Sequence, residues 1–495
     1  MDRAMIRRVL VANRGEIAIR IARSCREMGI ESVLASSEDE LSSFAAGYFD
    51  DVVSLGEGDS RETYLNVSRV IDAARAAGAD AIHPGYGFLS ERAALASACE
   101  DAGIVFIGPG ADVIELMGSK SASRQLMTRL GVPVVPGYDG EEQGQDRMTE
   151  EAGKIGFPLL VKASAGGGGK GMRVVRDPGG LVEALDAARR EAGKSFGNDR
   201  LLMERYIEQP RHVEFQVFGD RQGSVVHLFE RDCSIQRRHQ KVVEETPAPL
   251  FSPELRQKMS EAALAAARGV GYTNAGTVEF ILAPGGEFYF LEMNTRLQVE
   301  HPITESVTGT DLVRAQIRVA EGQPLPWRQE EIFQRGHAVE CRIYAEDAEN
   351  DFLPQTGTIT TYREPSGPGI RVDAGVMRGS EITIRYDPML AKLVAWAESR
   401  DAAIDRLVRG LREFVVLGVT TNLSYLRRVV DHEAFREGKV HTGFLGEHRE
   451  ALRKERPDEL AAIAAVLAGV IPAARSPHVS SSLPSVWDSL GGWSP

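Results

Sequence analysis

Cysteine is scarce in this chain, and its placement excludes several chemistries. The 495 residues hold four, Cys25, Cys99, Cys233 and Cys341, far apart. No CxxC or Cys/His spacing of a zinc site occurs, and so few thiols build no dense disulfide framework. They read as reduced thiols. Positive charge is also short: 58 basic against 71 acidic residues leave a net charge of −13. Wholesale nucleic-acid binding needs a basic field and is set aside, whereas a local basic pocket for an anion is not. Long apolar runs are missing too. The most apolar stretch, Leu460 to Ala474, is too short for a membrane span and holds Gly469 and Pro472. Met1 to Val9 carries Asp2, Arg3, Arg7 and Arg8 but no apolar core of a secretory signal. The expectation is a cytoplasmic chain with no membrane and no nucleic-acid partner.

What is present is ample apolar mass, 43% of residues, enough for about two to four packed domains. The first segment alternates strand and helix. Arg8-Val9-Leu10-Val11-Ala12 is apolar, Asn13-Arg14-Gly15-Glu16 turns, and Ile17, Ile21, Cys25 and Met28 recur at helical spacing. Apolar runs return at Ser32 to Ala35, Ala81-Ile82 and Ile104 to Ile107, with a helical stretch at Ser68 to Ala77 between them. That alternation predicts a parallel sheet wrapped by helices. The middle of the chain holds strand pairs around a glycine run, and the segment from about His337 to His448 is mixed.

The glycine run is Ala165-Gly166-Gly167-Gly168-Gly169-Lys170-Gly171. It satisfies G-x-G-x-x-G, but a dinucleotide fold needs a helix after the last glycine, and Met172 to Val175 reads as a strand. No Gly-Lys-Ser/Thr follows at the spacing of a P-loop. A strand–loop–strand hairpin remains, with Lys162 before it. Such a loop can fold over phosphates and offer backbone N–H groups without side-chain clash. A floppy surface hairpin is the plain alternative.

A second hairpin is expected between Thr277 and Asn294, turning at Gly285-Gly286. Glu279 then faces Glu292 across the strands, with Asn294 on the same face. Opposed carboxylates repel, and a divalent cation such as Mg²⁺ removes that penalty. Two solvated glutamates would fit less well among such apolar neighbours. Next comes Asn294-Thr295-Arg296-Leu297-Gln298-Val299-Glu300-His301-Pro302. If extended, it projects Arg296, Gln298 and Glu300 to one side. Arginine suits a planar oxyanion and Glu300 could act as a base; by spacing alone an ion-paired loop fits equally. His301 reads as structural. The basic run Arg231 to Lys241 is a positive patch in an acidic chain, for which a solvated charge run is the ordinary account. Cys233 within it reads as a packed thiol.

Taken in order, these segments resemble biotin carboxylases of the ATP-grasp superfamily. The resemblance rests on Val11 to Ala18, His83-Pro84-Gly85-Tyr86-Gly87-Phe88-Leu89-Ser90-Glu91, the glycine loop, Glu230 to Pro249 and Leu291 to Pro302, and covers about residues 5–447. It implies an α/β and α+β architecture: an N-terminal parallel-sheet domain (1–115), an ATP-grasp domain (116–335) with a mobile glycine-rich lid at about 136–206, a mixed C-terminal α+β domain (336–447), and a helix and linker-like tail (448–495). It implies that Lys120, Lys162, Gly167, Gly168 and Gly169 meet ATP phosphates and that Glu204 and Ile207 border the adenine. His212, Gln236 and His239 would surround the nucleotide, and Glu279, Glu292 and Asn294 would hold two Mg²⁺ or Mn²⁺ ions. Lys241, Arg296, Gln298 and the Val299 backbone would hold bicarbonate, with Glu300 as base and Arg342 at the biotin ureido group.

No Met-Lys-Met occurs near the C-terminus, so the biotin is expected on a separate carrier protein. The resemblance also implies a carboxyltransferase partner and a homodimer. Acetyl-CoA is the expected final acceptor, with propionyl-CoA or pyruvate as alternatives. The tail Val486 to Trp493 reads equally as a docking peptide or a frayed end. Another ATP-grasp ligase would share the lid and metal site, but Gln298, Glu300 and Arg342 speak against it.

Overall fold

A computed structural model describes residues 5–164, 172–238 and 240–453. The glycine run with Gly167, Gly168 and Gly169, His239, and the tail beyond 453 lie outside the described residues. Three sheets organise the rest.

The first sheet is parallel, as the alternation predicted. Its strands are β1 (Arg8–Val11), β2 (Glu31–Ser36), β3 (Asp51–Ser54), β4 (Ala81–His83) and β5 (Val105–Phe106), in the order β3-β2-β1-β4-β5. Helix Gly15–Met28 buries Ile17, Ile21 and Cys25 against this sheet and ends on Gly29, whose φ of 69° is the left-handed conformation glycine adopts readily. Asn66 caps helix Val67–Ala76 by accepting from the Arg69 amide.

The second sheet contains β6 (Gly137–Tyr138), β7 (Leu159–Ala163), β8 (Arg173–Val175) and β9 (Leu201–Arg205), ordered β6-β9-β7-β8. β7 and β8 pair antiparallel, Leu159 facing Val175, which is the expected hairpin around the glycine run. Met148, Leu159, Val161, Leu181, Leu185 and Met203 form a small apolar core of their own under it. A unit with its own core can move as a body, which a lid requires.

The third sheet is antiparallel and has eight strands. It comprises β10 (Arg211–Gly219), β11 (Val225–Arg237), β12 (Gln240–Thr246), β13 (Asn274–Leu282), β14 (Phe288–Asn294) and β15 (His337–Tyr344), followed by strands Met389–Ala397 and Ile370–Ala374. The order is β14-β13-β10-β11-β12-β15, then Met389–Ala397, then Ile370–Ala374. The sheet passes unbroken from the middle of the chain to its last third through the β12–β15 pairing, Val243 facing Cys341. Gly375 brings its far edge onto the first sheet's helix. A Cβ there would lie 2.7 Å from the Glu16 backbone nitrogen, so only glycine allows this approach.

The hairpin Thr277–Asn294 pairs Glu279 with Glu292 as expected, but by another route. The turn is Ala283 to Glu287, closed by the Ala283 N–H donating to the Glu287 carbonyl and the Gly286 N–H donating to the Ala283 carbonyl, with Gly286 at φ 91°. That puts the pairing one residue off until a bulge beside Glu279 restores it. All four cysteines are free and buried. Among the described residues no helix is long and apolar enough to cross a membrane.

Candidate active site

One row of charged residues crosses the middle of the large sheet. Glu292 on β14 faces Glu279 on β13, Glu279 faces Glu214 on β10, and Glu214 faces Arg231 on β11. Glu214 and Arg231 are fully buried. Arg231 donates to Glu214, Gln216, Thr277, Thr304 and Gln298, at 2.6 to 3.2 Å. A buried guanidinium with five partners is a rigid floor rather than a reactive group.

Lys241 on β12 sits over that floor. Its Nζ lies 2.5 Å from Glu214, 2.8 Å from Glu279 and 2.6 Å from Glu300. Burial opposes its charge, but the three carboxylates outweigh burial and hold the ammonium well above its ordinary range. Glu300 has its other oxygen 2.9 Å from Arg342. Burial alone would raise the Glu300 carboxyl; Lys241 and Arg342 instead hold it well below the usual carboxylate range. Arg342 on β15 is braced by Glu244, 2.5 Å away. Burial and then the Arg342 and Glu300 charges leave Glu244 at about 7.

Arg296, Gln298 and Glu300 converge, but not by strand alternation. Residues 295–300 form a bend and a turn leading into helix His301–Thr308, with Leu297 buried. Gln298 Nε2 donates to Glu279 at 2.9 Å. Arg296 is clamped between Glu91, 2.8 Å, and the Asn294 oxygen, 2.9 Å. Burial opposes its charge, but the Glu91 charge and hydrogen bond, and then Glu300 and Glu279, raise its affinity for a proton. Lys241 and Arg342 thus hold Glu300 directly, while Gln298 stands on neighbouring Glu279 and Arg296 lies within the field of both carboxylates, an arrangement suited to a small oxyanion.

Glu279, Glu292 and Asn294 stand together at the edge of this cluster. Glu279 takes N–H groups from Asn294 and Gln298 and lies 3.0 Å from His212 Nε2. Glu292 opens onto the cleft, yet the surrounding protein and then the Glu279 charge raise its carboxyl. Like charges held in register, with an amide oxygen beside them, match the oxygen donors of a hard divalent cation, which would relieve the repulsion.

The side nearer the glycine run is less densely charged. Lys120 begins helix Lys120–Arg129; burial and then the Lys162 charge lower its proton affinity, while Glu292 opposes them. Lys162 on β7 pairs with Glu204 at 2.5 Å, and Glu204 also takes Arg124 at 2.8 Å. Ile207 follows β9, half-buried, in the link between the second sheet and β10. Gln236 faces Lys241 across β11 and β12.

Sequence reasoning missed Glu214, Arg231, Glu244, Glu91 and Arg124. A signal existed for the first. Val213-Glu214-Phe215-Gln216-Val217 alternates apolar and polar, so Glu214 and Gln216 share a face. Arg231 was visible only as one charge in a basic run.

Three family models match in succession: the biotin carboxylase N-terminal domain over residues 5–114, the ATP-binding domain of the carbamoyl-phosphate synthase L chain over 119–328, and the biotin carboxylase C-terminal domain over 340–447. The mitochondrial methylcrotonoyl-CoA carboxylase alpha chain of Dictyostelium discoideum is 49% identical over 494 residues, 99% of this chain and 70% of that protein. The chain spans 61 to 70% of the methylcrotonoyl-CoA carboxylase alpha chains it matches. A pyruvate carboxylase subunit of Methanothermobacter thermautotrophicus is 49% identical over 451 residues, 91% of this chain and 92% of that one. The biotin carboxylase domain dimer of Hydrogenobacter thermophilus 2-oxoglutarate carboxylase, solved with MgADP, ADP and bicarbonate, superposes with a TM-score of 0.87 at 47% identity. It covers 91% of this chain and 100% of that one. On site geometry, fold and sequence together, the chain belongs to the biotin carboxylase family of ATP-dependent ligases.

Proposed function

We propose that this chain carboxylates biotin borne on a separate carrier protein, using ATP and bicarbonate, and that the residues above divide the work. The observation carrying this reading is Lys241 bound to three carboxylates, with Arg342 on the far oxygen of Glu300. The arrangement keeps a base ionised between two cations.

Lys120 and Lys162 take the ATP phosphates beneath the glycine lid, with Glu204, Ile207, His212, Gln236 and His239 around the nucleotide. Glu279, Glu292 and Asn294 would hold the divalent cation, Mg²⁺ or Mn²⁺, which supplies charge neutralisation to the phosphates. Lys241, Arg296, Gln298 and the Val299 N–H hold bicarbonate. Glu300 accepts the bicarbonate proton. While Lys241 and Arg342 grip it, it is a weak base; a bound anion draws those cations away and strengthens it. The freed oxygen attacks the γ-phosphorus, ADP leaves, and carboxyphosphate forms. Lys241 and Arg296 spread the developing charge. Lid closure excludes the water that would hydrolyse the product. Carboxyphosphate splits to CO₂ and phosphate, phosphate takes the N1 proton of biotin, and Arg342 stabilises the ureido enolate that attacks CO₂.

The final acceptor is chosen by a carboxyltransferase partner. Named relatives act on methylcrotonoyl-CoA, pyruvate and 2-oxoglutarate, so the acetyl-CoA expectation gains no support from them. Arg342→Ala and Arg296→Ala test the division of labour. Arg342→Ala should lose biotin carboxylation about a hundredfold or more while bicarbonate-dependent ATP cleavage falls far less. Arg296→Ala should damage both. Equal losses in Arg342→Ala would refute its assignment to biotin.

A further inference from the structure

The segment Arg296 to Glu300 carries three side chains of the proposed anion site yet belongs to no strand or helix. Such a segment keeps one geometry only if its peptide groups are fixed from outside. Two buried basic side chains do so. The His301 ring, fully buried, has Nδ1 2.7 Å from the Gln298 carbonyl. A carbonyl only accepts, so Nδ1 carries the proton and donates. Lys392, also fully buried, donates to the Val299 carbonyl at 2.9 Å. A trans peptide is planar, with C=O and N–H opposed. Holding the Gln298 carbonyl therefore aims the Val299 N–H, and holding the Val299 carbonyl aims the Glu300 N–H.

Lys392 is itself fixed by the architecture. On strand Met389–Ala397 it faces Arg342 on one side and Asp373 on the other. Its Nζ is 3.1 Å from Glu16 and 4.0 Å from Asp373, and Glu16 accepts from the Tyr86 hydroxyl. One ammonium thus joins the first helix, the far edge of the large sheet and the anion loop. A buried lysine is costly, and an apolar residue would fill the same strand position without that cost. An apolar residue could supply neither that bond to the loop nor the pairing with Glu16.

We propose that His301 and Lys392 are positioning residues for bicarbonate, orienting the two peptide planes that flank Val299. The inference rests on reading this loop as the bicarbonate site. The test compares KM for bicarbonate, KM for ATP and kcat in the full-length protein. The variants are His301→Leu, His301→Asn and the double variant Glu16→Gln/Lys392→Met, which removes the lysine together with the carboxylate it would strand. His301→Leu and the double variant should raise the bicarbonate KM about tenfold with the ATP KM within about twofold. His301→Asn, which keeps a donor near the Nδ1 position, should recover most of the loss. An unchanged bicarbonate KM in His301→Leu overturns the proposal, as does a parallel rise in the ATP KM. If the double variant fails to fold, the two His301 variants decide alone. Arg296→Ala separates the two levels. If it destroys the bicarbonate response while His301→Leu does not, the anion site stands and the positioning role falls. If Arg296→Ala keeps a normal bicarbonate KM, the anion site itself falls.

Discussion

Glu292 and Glu279 show how one pair of residues can demand a ligand. Their register brings two carboxylates together; burial first and then the Glu279 charge raise the Glu292 carboxyl, while Lys241 claims Glu279. Replacing Glu292 by Gln removes the repulsion and one anionic donor together. The protein should be no less stable, yet the Mg²⁺ concentration for half-maximal ATP cleavage should rise about tenfold or more; titrating Mg²⁺ against ADP release checks this. The Glu279–Glu292 pairing was legible because strand period and turn chemistry suffice to place it. The turn lay one residue from its expected place, and the bulge that corrected it leaves no mark in composition. Glu214 and Arg231 were harder. A lone charge in an apolar strand reads as outward-facing, and only tertiary pairing turns it inward.

At the scale of elements, β12 is the seam. Its first half carries Lys241 and its second half ties the large sheet to the C-terminal helices. Glu245 accepts from His337 on β15 at 2.8 Å and from Arg400, which opens helix Arg400–Glu413, at 2.7 Å. Arg400 also donates to the Phe435 and Arg436 carbonyls. Burial would raise the Glu245 carboxyl, but His337 and Arg400 outweigh it and hold it at about 2. A depressed acid stabilises the fold above its unfolded value of 4.5 and loses that contribution as pH falls toward 2. Glu245→Gln should cost about 3 kcal/mol at pH 7, with the gap to the parent narrowing below pH 4.5. Denaturant unfolding at several pH values measures that gap. None of this tie was visible in the sequence, because Glu245 is one of two adjacent glutamates and its partners lie 92 and 155 residues away.

Across the whole molecule, three sheets meet at one cleft, each contributing what its local sequence allows. The first sheet was legible from alternation alone. The second sheet was legible as a hairpin around glycines. The continuity of the third sheet through β12 and β15 was not, because long-range antiparallel pairing has no local code. Gly375 and Lys392 make the same point: they matter through what they touch, and nothing near them in sequence marks them. The large architecture follows from period and turns, and the site's reactive groups from short motifs. The buried partners that aim those groups come only from tertiary structure.

The central claim is that this cleft phosphorylates bicarbonate and passes the carboxyl group to biotin. The most direct measurement is ADP release with ATP, Mg²⁺ and bicarbonate, with and without free biotin. The account predicts a slow bicarbonate-dependent rate that biotin stimulates strongly, with carboxybiotin formed in step with ADP. No stimulation by biotin, with turnover on an amino acid or a carbamate instead, would contradict it and place the chain's activity among other ATP-grasp ligases.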